Sequence, residues 1–194
     1  MSVKPNLDLE KEHYPKIVAG IDESGRGSLI GPVIAAAVIL NPEYEISGIN
    51  DSKLLSESKR EYLYDEITNN HIFAVGVGTL LEIEEFNILN ATKLACMRAL
   101  DRLSQHADIA LIDGNMKFSD KRCISIVKGD RKSLSIAAAS IIAKVERDKI
   151  AKEMDIEFPY YNWKNNKGYA TKKHKEIISK YGISKHHRRS FCHI

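Results

Sequence analysis

The sequence predicts an α/β fold: a mixed five-stranded central sheet flanked by helices, followed by a basic helical C-terminal region. Three observations predict it. Apolar runs rich in Val, Ile and Ala occur at 18–22, 33–40 and 72–80, and two shorter ones end at Asp113 and near Lys128. Apolar residues recur at helical spacing in 56–67, 88–103 and 135–157. Basic residues crowd the last sixth of the chain. This order of elements suits a mixed sheet covered by helices.

The first run, Val18 to Asp22, reads as a buried strand ending in acid. The second and third are expected to be its antiparallel neighbours, the third interrupted by Gly76 and Gly78. Helix 56–67 opens on a Ser-Glu-Ser cap and carries Leu63, Tyr64 and Ile67 on one face. Helix 88–103 repeats the pattern with Leu89, Thr92, Ala95, Ala99 and Leu103. The strands ending at Asp113 and near Lys128 are joined without a helix. In 135–157 the stripe Ala137, Ala138, Ile141, Ile142 and Val145 is core packing, with small members that permit close approach to a sheet. Asp148 in that helix is expected to be an ion-pair partner, and Tyr160, Tyr161 and Trp163 to staple the C-terminal region to the sheet.

At 194 residues and 43% hydrophobic, the chain is long enough to bury a full core, and no linker or repeat divides it. One domain is expected, with a catalytic part over about 15–157 and a basic part over about 158–194. Three scattered cysteines, Cys96, Cys123 and Cys192, fit idle thiols in a reducing compartment. With no apolar signal core and no membrane-length stretch, a cytoplasmic protein is expected. The net charge of +3 hides an asymmetry: residues 162–194 hold nine Lys and Arg against Glu176 alone, so the rest of the chain is net acidic. Such a face is either a solvated surface or a contact for a polyanion. His186, His187 and His193 near Cys192 lack ordered metal-ligand spacing.

The acids argue for the polyanion. Residues 20–27 read Gly-Ile-Asp-Glu-Ser-Gly-Arg-Gly, placing Asp22 and Glu23 at a strand end beside a glycine-bracketed arginine. Successive strand residues face opposite ways, so this pair needs partners to hold one cation. Asp113 ends another strand before Gly114, and Asp130 ends a third through a Lys-Gly-Asp step. Turn chemistry explains any one of these aspartates; it does not explain four acids together beside a Gly-Arg-Gly loop. Carboxylates without cysteine or paired histidine suit Mg²⁺ or Mn²⁺. Two such ions, roughly 4 Å apart, would activate water and stabilise the leaving oxygen in phosphodiester hydrolysis.

The chain resembles bacterial ribonuclease HII, the type 2 ribonuclease H family, from about Ile17 to Phe191. The resemblance rests on the 20–27 motif with Gly31-Pro32-Val33, on Asp51-Ser52-Lys53-Leu54, on Ile112-Asp113-Gly114-Asn115, and on Val127-Lys128-Gly129-Asp130. Further on it rests on residues 135–144, Gly168-Tyr169-Ala170-Thr171 with His174, and His187-Arg188-Arg189-Ser190-Phe191. It implies the ribonuclease H-like fold, with Asp22, Glu23, Asp113 and Asp130 holding the metals. It also implies that Gly25, Arg26, Gly27 and Tyr169 recognise an RNA-to-DNA junction, with Lys53 as a secondary phosphate contact. The implied substrates are RNA–DNA hybrids and DNA duplexes containing ribonucleotides, the implied products carry 3′-hydroxyl and 5′-phosphate ends, and a monomer is expected.

Three positions depart from the family pattern: Ser28 stands for proline, Ile30 for alanine or another small residue, and Ala170 for glycine. The last bears on backbone freedom beside Tyr169, because alanine tolerates positive φ poorly. A resolvase or integrase of the same fold would share acids on a sheet but lack the Gly-Arg-Gly and Tyr169 features. The type 3 class carries an extra N-terminal domain, for which the acidic pair at position 22 is expected to leave no room. A silent nucleic-acid-binding module would leave the four acids without a purpose.

Overall fold

The computed structural model describes residues 4–50 and 52–192; Asp51 and His193 lie outside the described residues. A short helix α1 (Asp8–Lys11) leads into β1 (Val18–Ser24), β2 (Val33–Ile39), α2 (Glu57–Asn70), β3 (Ile72–Gly78) and α3 (Leu80–Asp101). Then come β4 (Ile109–Asp113), β5 (Cys123–Ile126), α4 (Leu134–Glu157), α5 (Trp163–Asn166) and α6 (Lys172–Tyr181). The five strands form one sheet in the order β3-β2-β1-β4-β5. β1, β2 and β3 are antiparallel neighbours, whereas β4 and β5 run parallel to β1. The expected mixed sheet is thus observed.

Parity assigns the faces. Ala19, Ile21, Ala35 and Ala37 join Ala91, Ala95 and Ala99 of α3 in one core cluster. Ala36 and Val38 join Leu63 and Ile67 of α2 and the Ala137–Ala143 stretch of α4 in another. β2 is buried along its whole length because helices cover both its faces, which is why it reads as an unbroken apolar run. Small residues let the layers approach closely. On the α4 face the tightest place is Gly20, where a Cβ would lie 2.1 Å from the carbonyl carbon of Ser135; on the α3 face it is Gly76, where one would lie 2.0 Å from the Ala95 carbonyl oxygen.

The structure moves several expected boundaries. β3 stops at Gly78 because Thr79 begins a helix, with a reciprocal capping box to Glu82. α3 therefore starts at Leu80 instead of 88; it breaks at Asn87, where φ is 69°, and its second segment begins where the periodicity placed it. The Asn87 side chain accepts from the Leu89 and Asn90 amides, capping that segment. β1 runs on to Ser24, so Glu23 lies within the strand. The helix α1 was not expected from the sequence. Its Glu10 accepts from the Ser135 amide and from the Ser133 and Ser135 hydroxyls at 2.6–2.9 Å, closing the N-terminus of α4 with an acid where the helix dipole favours one.

The C-terminal region is built into the fold and is no loose tail. Tyr161 and Trp163 are buried and stacked 4.8 Å apart, and Leu29, Ile30 and Ile178 complete their cluster. Among the described residues no helix is long and apolar enough to cross a membrane.

The close approach at Gly20 yields a stability prediction. Gly20→Ala drives a methyl group into α4 backbone, and overpacking of this kind costs about 1–3 kcal/mol or more. Urea unfolding of the variant should show a lower midpoint with an unchanged slope; an unaltered midpoint would mean that α4 yields at no cost.

Candidate active site

The site lies at the C-terminal ends of β1 and β4, where parallel pairing sets the register. Ile21 pairs with Ile112, so the next pair in that register is Asp22 and Asp113, on the face covered by α4. The third acid arrives differently from expectation. β5 stops at Ile126, Lys128 takes a left-handed conformation, and Asp130 sits in a 3-10 turn, Gly129–Arg131, instead of at a strand end. That turn is tied to β4 through the Gly129 amide, which donates to Asp113 Oδ1 at 2.7 Å. Carboxylate oxygens of Asp22, Asp113 and Asp130 lie within 4.8 Å of one another. The spacing suits a hard cation, whose opposite oxygen ligands stand roughly 4 Å apart in octahedral geometry.

Glu23 leaves β1 on the opposite face, as strand parity requires, and is not one of the three carboxylates within 4.8 Å, but its charge is felt by Asp22 and it feels that of Asp113. Its Oε1 meets Arg26 Nη1 at 3.1 Å, while its buried Oε2 has no hydrogen-bond partner. The electrostatics are those of a site that needs positive charge. Burial pushes the Asp22 carboxyl well above the ordinary carboxylate range, and the Glu23 and Asp113 charges push it further. Burial also raises Glu23, against the opposing pull of Arg26. Carboxylates crowded in a dry place and an orphaned buried oxygen fit a divalent metal.

The Asp-Ser-Lys-Leu segment supports this group from the side. Ser52 is buried, with its Oγ 2.8 Å from Ser140 Oγ, and Ser140 stands beside Asp22, where it partly offsets the upward push on that carboxyl. Lys53 Nζ stands 3.9 Å from Asp130 Oδ2, with most of its side chain exposed. The sequence singles out Lys53 but not the Ser52–Ser140 contact, since residues 88 apart give no local signal.

After β1 the chain turns through Gly25, with φ at 96°, into exposed Arg26 and Gly27. Tyr169, itself exposed, stands across from this turn: its ring lies 3.9 Å from where a Cβ on Gly27 would be, and Ser28 and Tyr169 form an antiparallel bridge. The structure thus brings Gly25, Arg26, Gly27 and Tyr169 together beside the acids. The Tyr169 carbonyl is 2.9 Å from His174 Nδ1, and His174 Nε2 accepts from Trp163 Nε1 at 3.0 Å. Because the indole can only donate, His174 must carry its proton on Nδ1 and donate to Tyr169. Positive φ falls at Lys167 and Gly168 and not at Ala170, so that departure from the family pattern leaves the turn unstrained.

The 28–31 segment is bound on both sides. The Leu29 amide donates to the Gly168 carbonyl, and the Gly31 amide to that of His186, each at 2.8 Å; the Arg188 amide donates to the Leu29 carbonyl. His187 accepts from the Ser184 amide, and His186 meets Glu157 at 2.9 Å, so these histidines serve the fold. Asp148 pairs with Lys144 at 2.7 Å, an ion-pair partner as the sequence implied. Arg147 and Arg188 carry no such signal in the sequence: both are buried side chains that donate into the 26–31 segment.

Comparison with known proteins agrees with this geometry. The family model described as Ribonuclease HII matches residues 19–194. The ribonuclease HII of Rickettsia bellii (strain OSU 85-389) is 56% identical over 185 residues, covering 95% of this chain and 94% of that one. That of Orientia tsutsugamushi (strain Ikeda) is 51% identical over 189 residues, covering 97% and 92%. Among solved structures, the chain is similar to one in the PCNA:RNase HII complex from Archaeoglobus fulgidus, with a TM-score of 0.76, 28% identity, and coverage of 89% of this chain and 94% of that one. The sheet and its helices are the ribonuclease H-like fold, and this chain belongs to the ribonuclease HII family of metal-dependent phosphodiester hydrolases, with ribonuclease H endonuclease activity on RNA–DNA substrates.

Proposed function

We propose that this protein, acting as a single-domain monomer, hydrolyses the RNA strand of RNA–DNA hybrids and also incises 5′ of single ribonucleotides embedded in duplex DNA. The observation that carries the reading is the apposition of the Asp22–Asp113–Asp130 cluster with the Gly25–Gly27 turn and Tyr169. Asp22, Asp113 and Asp130, with Glu23 at the edge, would hold two Mg²⁺ or Mn²⁺ ions. Bound there, such ions would supply an activated water and charge to neutralise the departing 3′ oxygen, with 3′-hydroxyl and 5′-phosphate ends as the products.

The chain's own residues provide orientation. The amide of Gly129 fixes the Asp113 carboxylate, and the amide of Glu23, 2.7 Å from Asp22 Oδ1, fixes that of Asp22, so neither needs to reorganise when substrate arrives. Selectivity rests on the 2′-hydroxyl, which distinguishes RNA from DNA at the cleaved position. A glycine-flanked turn lets backbone approach a ribose closely, and the Tyr169 ring offers a flat face for the deoxyribose beyond the junction. Lys53 lies where it reaches a phosphate next to the acids. The exposed Lys172, Lys173, Lys175 and Lys180 of α6 extend a basic face along the duplex. A resolvase or integrase reading leaves the turn and Tyr169 without a role.

Asp113→Asn should abolish cleavage in Mg²⁺ while leaving duplex binding largely intact, since it removes a ligand charge and no phosphate-contacting cation. Turnover above a few per cent of the parent in a cleavage assay, on the scale at which transition-state interactions are lost, would remove Asp113 from the ligand set. Tyr169→Ala should depress incision at an embedded ribonucleotide more than cutting of a continuous hybrid. Equal losses on both substrates, together with a lowered melting temperature, would reduce Tyr169 to an anchor of its loop. For the basic face, replacing Lys172, Lys173, Lys175 and Lys180 with alanine should flatten the plot of log affinity against log salt by about 0.9 for each phosphate no longer neutralised. An unchanged slope would make these lysines a solvated surface. Deleting the C-terminal segment is a poorer test, because it also removes Arg188.

A further inference from the structure

Two buried arginines lie under the Gly25–Gly31 segment, and neither serves the chemistry described so far. Arg147 comes from α4 and is 2% exposed; Arg188 follows α6 and is fully buried. Among the described residues neither has a carboxylate within ion-pair distance. Their bonds go to one stretch of chain. Arg147 Nη2 donates to Ser28 Oγ at 2.6 Å and to the Ile30 carbonyl at 3.3 Å. Arg188 Nε donates to the Gly31 carbonyl and its Nη1 to the Arg26 carbonyl, both at 2.9 Å. The remaining donors, Arg147 Nε and Nη1 and Arg188 Nη2, are buried without hydrogen-bond partners.

This arrangement is unfavourable for the fold taken alone. A buried guanidinium without a counter-ion loses its hydration, and unpaired donors add to the loss. Two of them side by side also repel; Arg188 is pushed down to about 9, by burial first and by Arg147 next, so it is still a cation at neutral pH. The turn above is shaped to this pair: a Cβ on Gly25 would lie 3.1 Å from Arg147 Cγ and Nε. Unsatisfied buried groups of this kind concentrate at functional sites, where stability is given up for activity.

We propose that Arg147 and Arg188 are specificity-determining positioning residues, a buried guanidinium pair that fixes the Gly25-Arg26-Gly27 turn against Tyr169 and holds positive charge behind it for the sugar–phosphate at the RNA–DNA junction. The carbonyls of Arg26, Ile30 and Gly31 are drawn toward the pair, so the turn is set before substrate binds. In a low-dielectric setting the fixed charge acts on a phosphate at the turn with little screening. Part of the pair's charge is thus answered only in the complex. The proposal rests on the reading that this turn and Tyr169 recognise the junction.

The test compares Arg147→Met, which keeps length and loses charge, with Arg147→Lys, which keeps charge and loses the planar fork. Melting temperature is measured for each, with kcat and KM determined separately on a duplex holding one ribonucleotide and on a continuous hybrid. Arg147→Met should keep or raise the melting temperature while the kcat/KM ratio of the two substrates shifts about tenfold against the embedded ribonucleotide, the loss lying in KM. Arg147→Lys should recover part of that shift. Equal losses on both substrates tracking a lower melting temperature would overturn the proposal, because a purely structural brace behaves that way. If Arg147→Met does not fold, Ser28→Ala takes its place by removing the hydroxyl that Arg147 Nη2 grips, and the same shift in ratio is expected; no shift overturns the proposal. Tyr169→Ala measured alongside separates the two ideas. A ratio shifted by Tyr169→Ala but not by Arg147→Met defeats the arginine proposal alone, whereas a ratio that neither variant shifts defeats junction recognition by this turn.

Discussion

Asp22 is 4% exposed, on the central strand of the sheet, with two other acids close by. A carboxylate there has lost most of its water and gained the repulsion of its neighbours, which is why its ionisation is opposed first by burial and then by Glu23 and Asp113. The surrounding structure is the framework needed to keep such a group in place. β1 must be central, so that parallel β4 can bring Asp113 alongside. α4 must lie close, so that Ser140 stands beside Asp22, and that closeness requires a glycine at position 20. The alanine-rich stretches of β2 and α4 follow from the same demand, since bulkier side chains would lift the helix and its hydroxyl away from the acid.

The fold carries a second concentration of charge, opposite in sign, on the far side of Gly25. Within a few residues the chain passes from buried acids to a turn backed by buried arginines. Among the described residues the two arginines pair with no carboxylate, while Lys53 and Arg26 meet the acids from the rim. A molecule that folded for stability alone would pair the buried charges or replace them with apolar residues. Keeping them apart, the acids at the ends of β1 and β4 and the arginines behind the Gly25–Gly27 turn, polarises this part of the molecule in the way the proposed contact with a phosphate backbone requires. The C-terminal region completes this polarity. It supplies Arg188, the bridge between Ile30 and His187, and the exposed lysines of α6, so the basic face and the integrity of the turn are carried by one segment.

Much of the framework is legible in the sequence because it obeys short-range rules. Strand runs, helical spacing and the serine cap before α2 are local, and they appear close to where periodicity placed them. Acids at the ends of apolar runs are legible for the same reason, since an ionised group rarely interrupts a buried strand. What stays hidden depends on distance along the chain or on burial. Residues 79–86 do carry a local helix signal, Thr79 and Glu82 at capping-box spacing with Leu80, Ile83 and Phe86 at helical spacing, but it adjoins the apolar run of β3 and merges with it; nothing local to Glu10 signals that it caps a helix 125 residues away. Arg147, between Glu146 and Asp148, carries no local signal of burial; only packing of α4 beneath the 25–31 segment turns it inward. Asp130 is legible for an incomplete reason, because a left-handed Lys128 and a 3-10 turn deliver it after the strand has ended.

The three departures from the ribonuclease HII pattern bear on one small region, and the structure relates them. Proline at position 28 would lack the amide that Ser28 donates to the Gly25 carbonyl at 3.2 Å and the hydroxyl that accepts from Arg147. It would restrain the turn through its ring instead. Serine restrains it through hydrogen bonds: its Oγ also meets the Ile30 amide and carbonyl at 3.2 Å. Ile30 fills the cluster with Tyr161 and Trp163, so the larger side chain anchors the same segment from below. Both press on Gly168, where a Cβ would lie 2.3 Å from Ile30 Cγ1 and 2.6 Å from Ser28 Oγ, and whose φ of 75° also requires glycine. With the left-handed turn placed at Lys167 and Gly168, position 170 has no need of a glycine. The alanine there is thus compatible with the same placement of Tyr169. In this chain, buried hydrogen bonds and apolar packing take the place of a rigid proline.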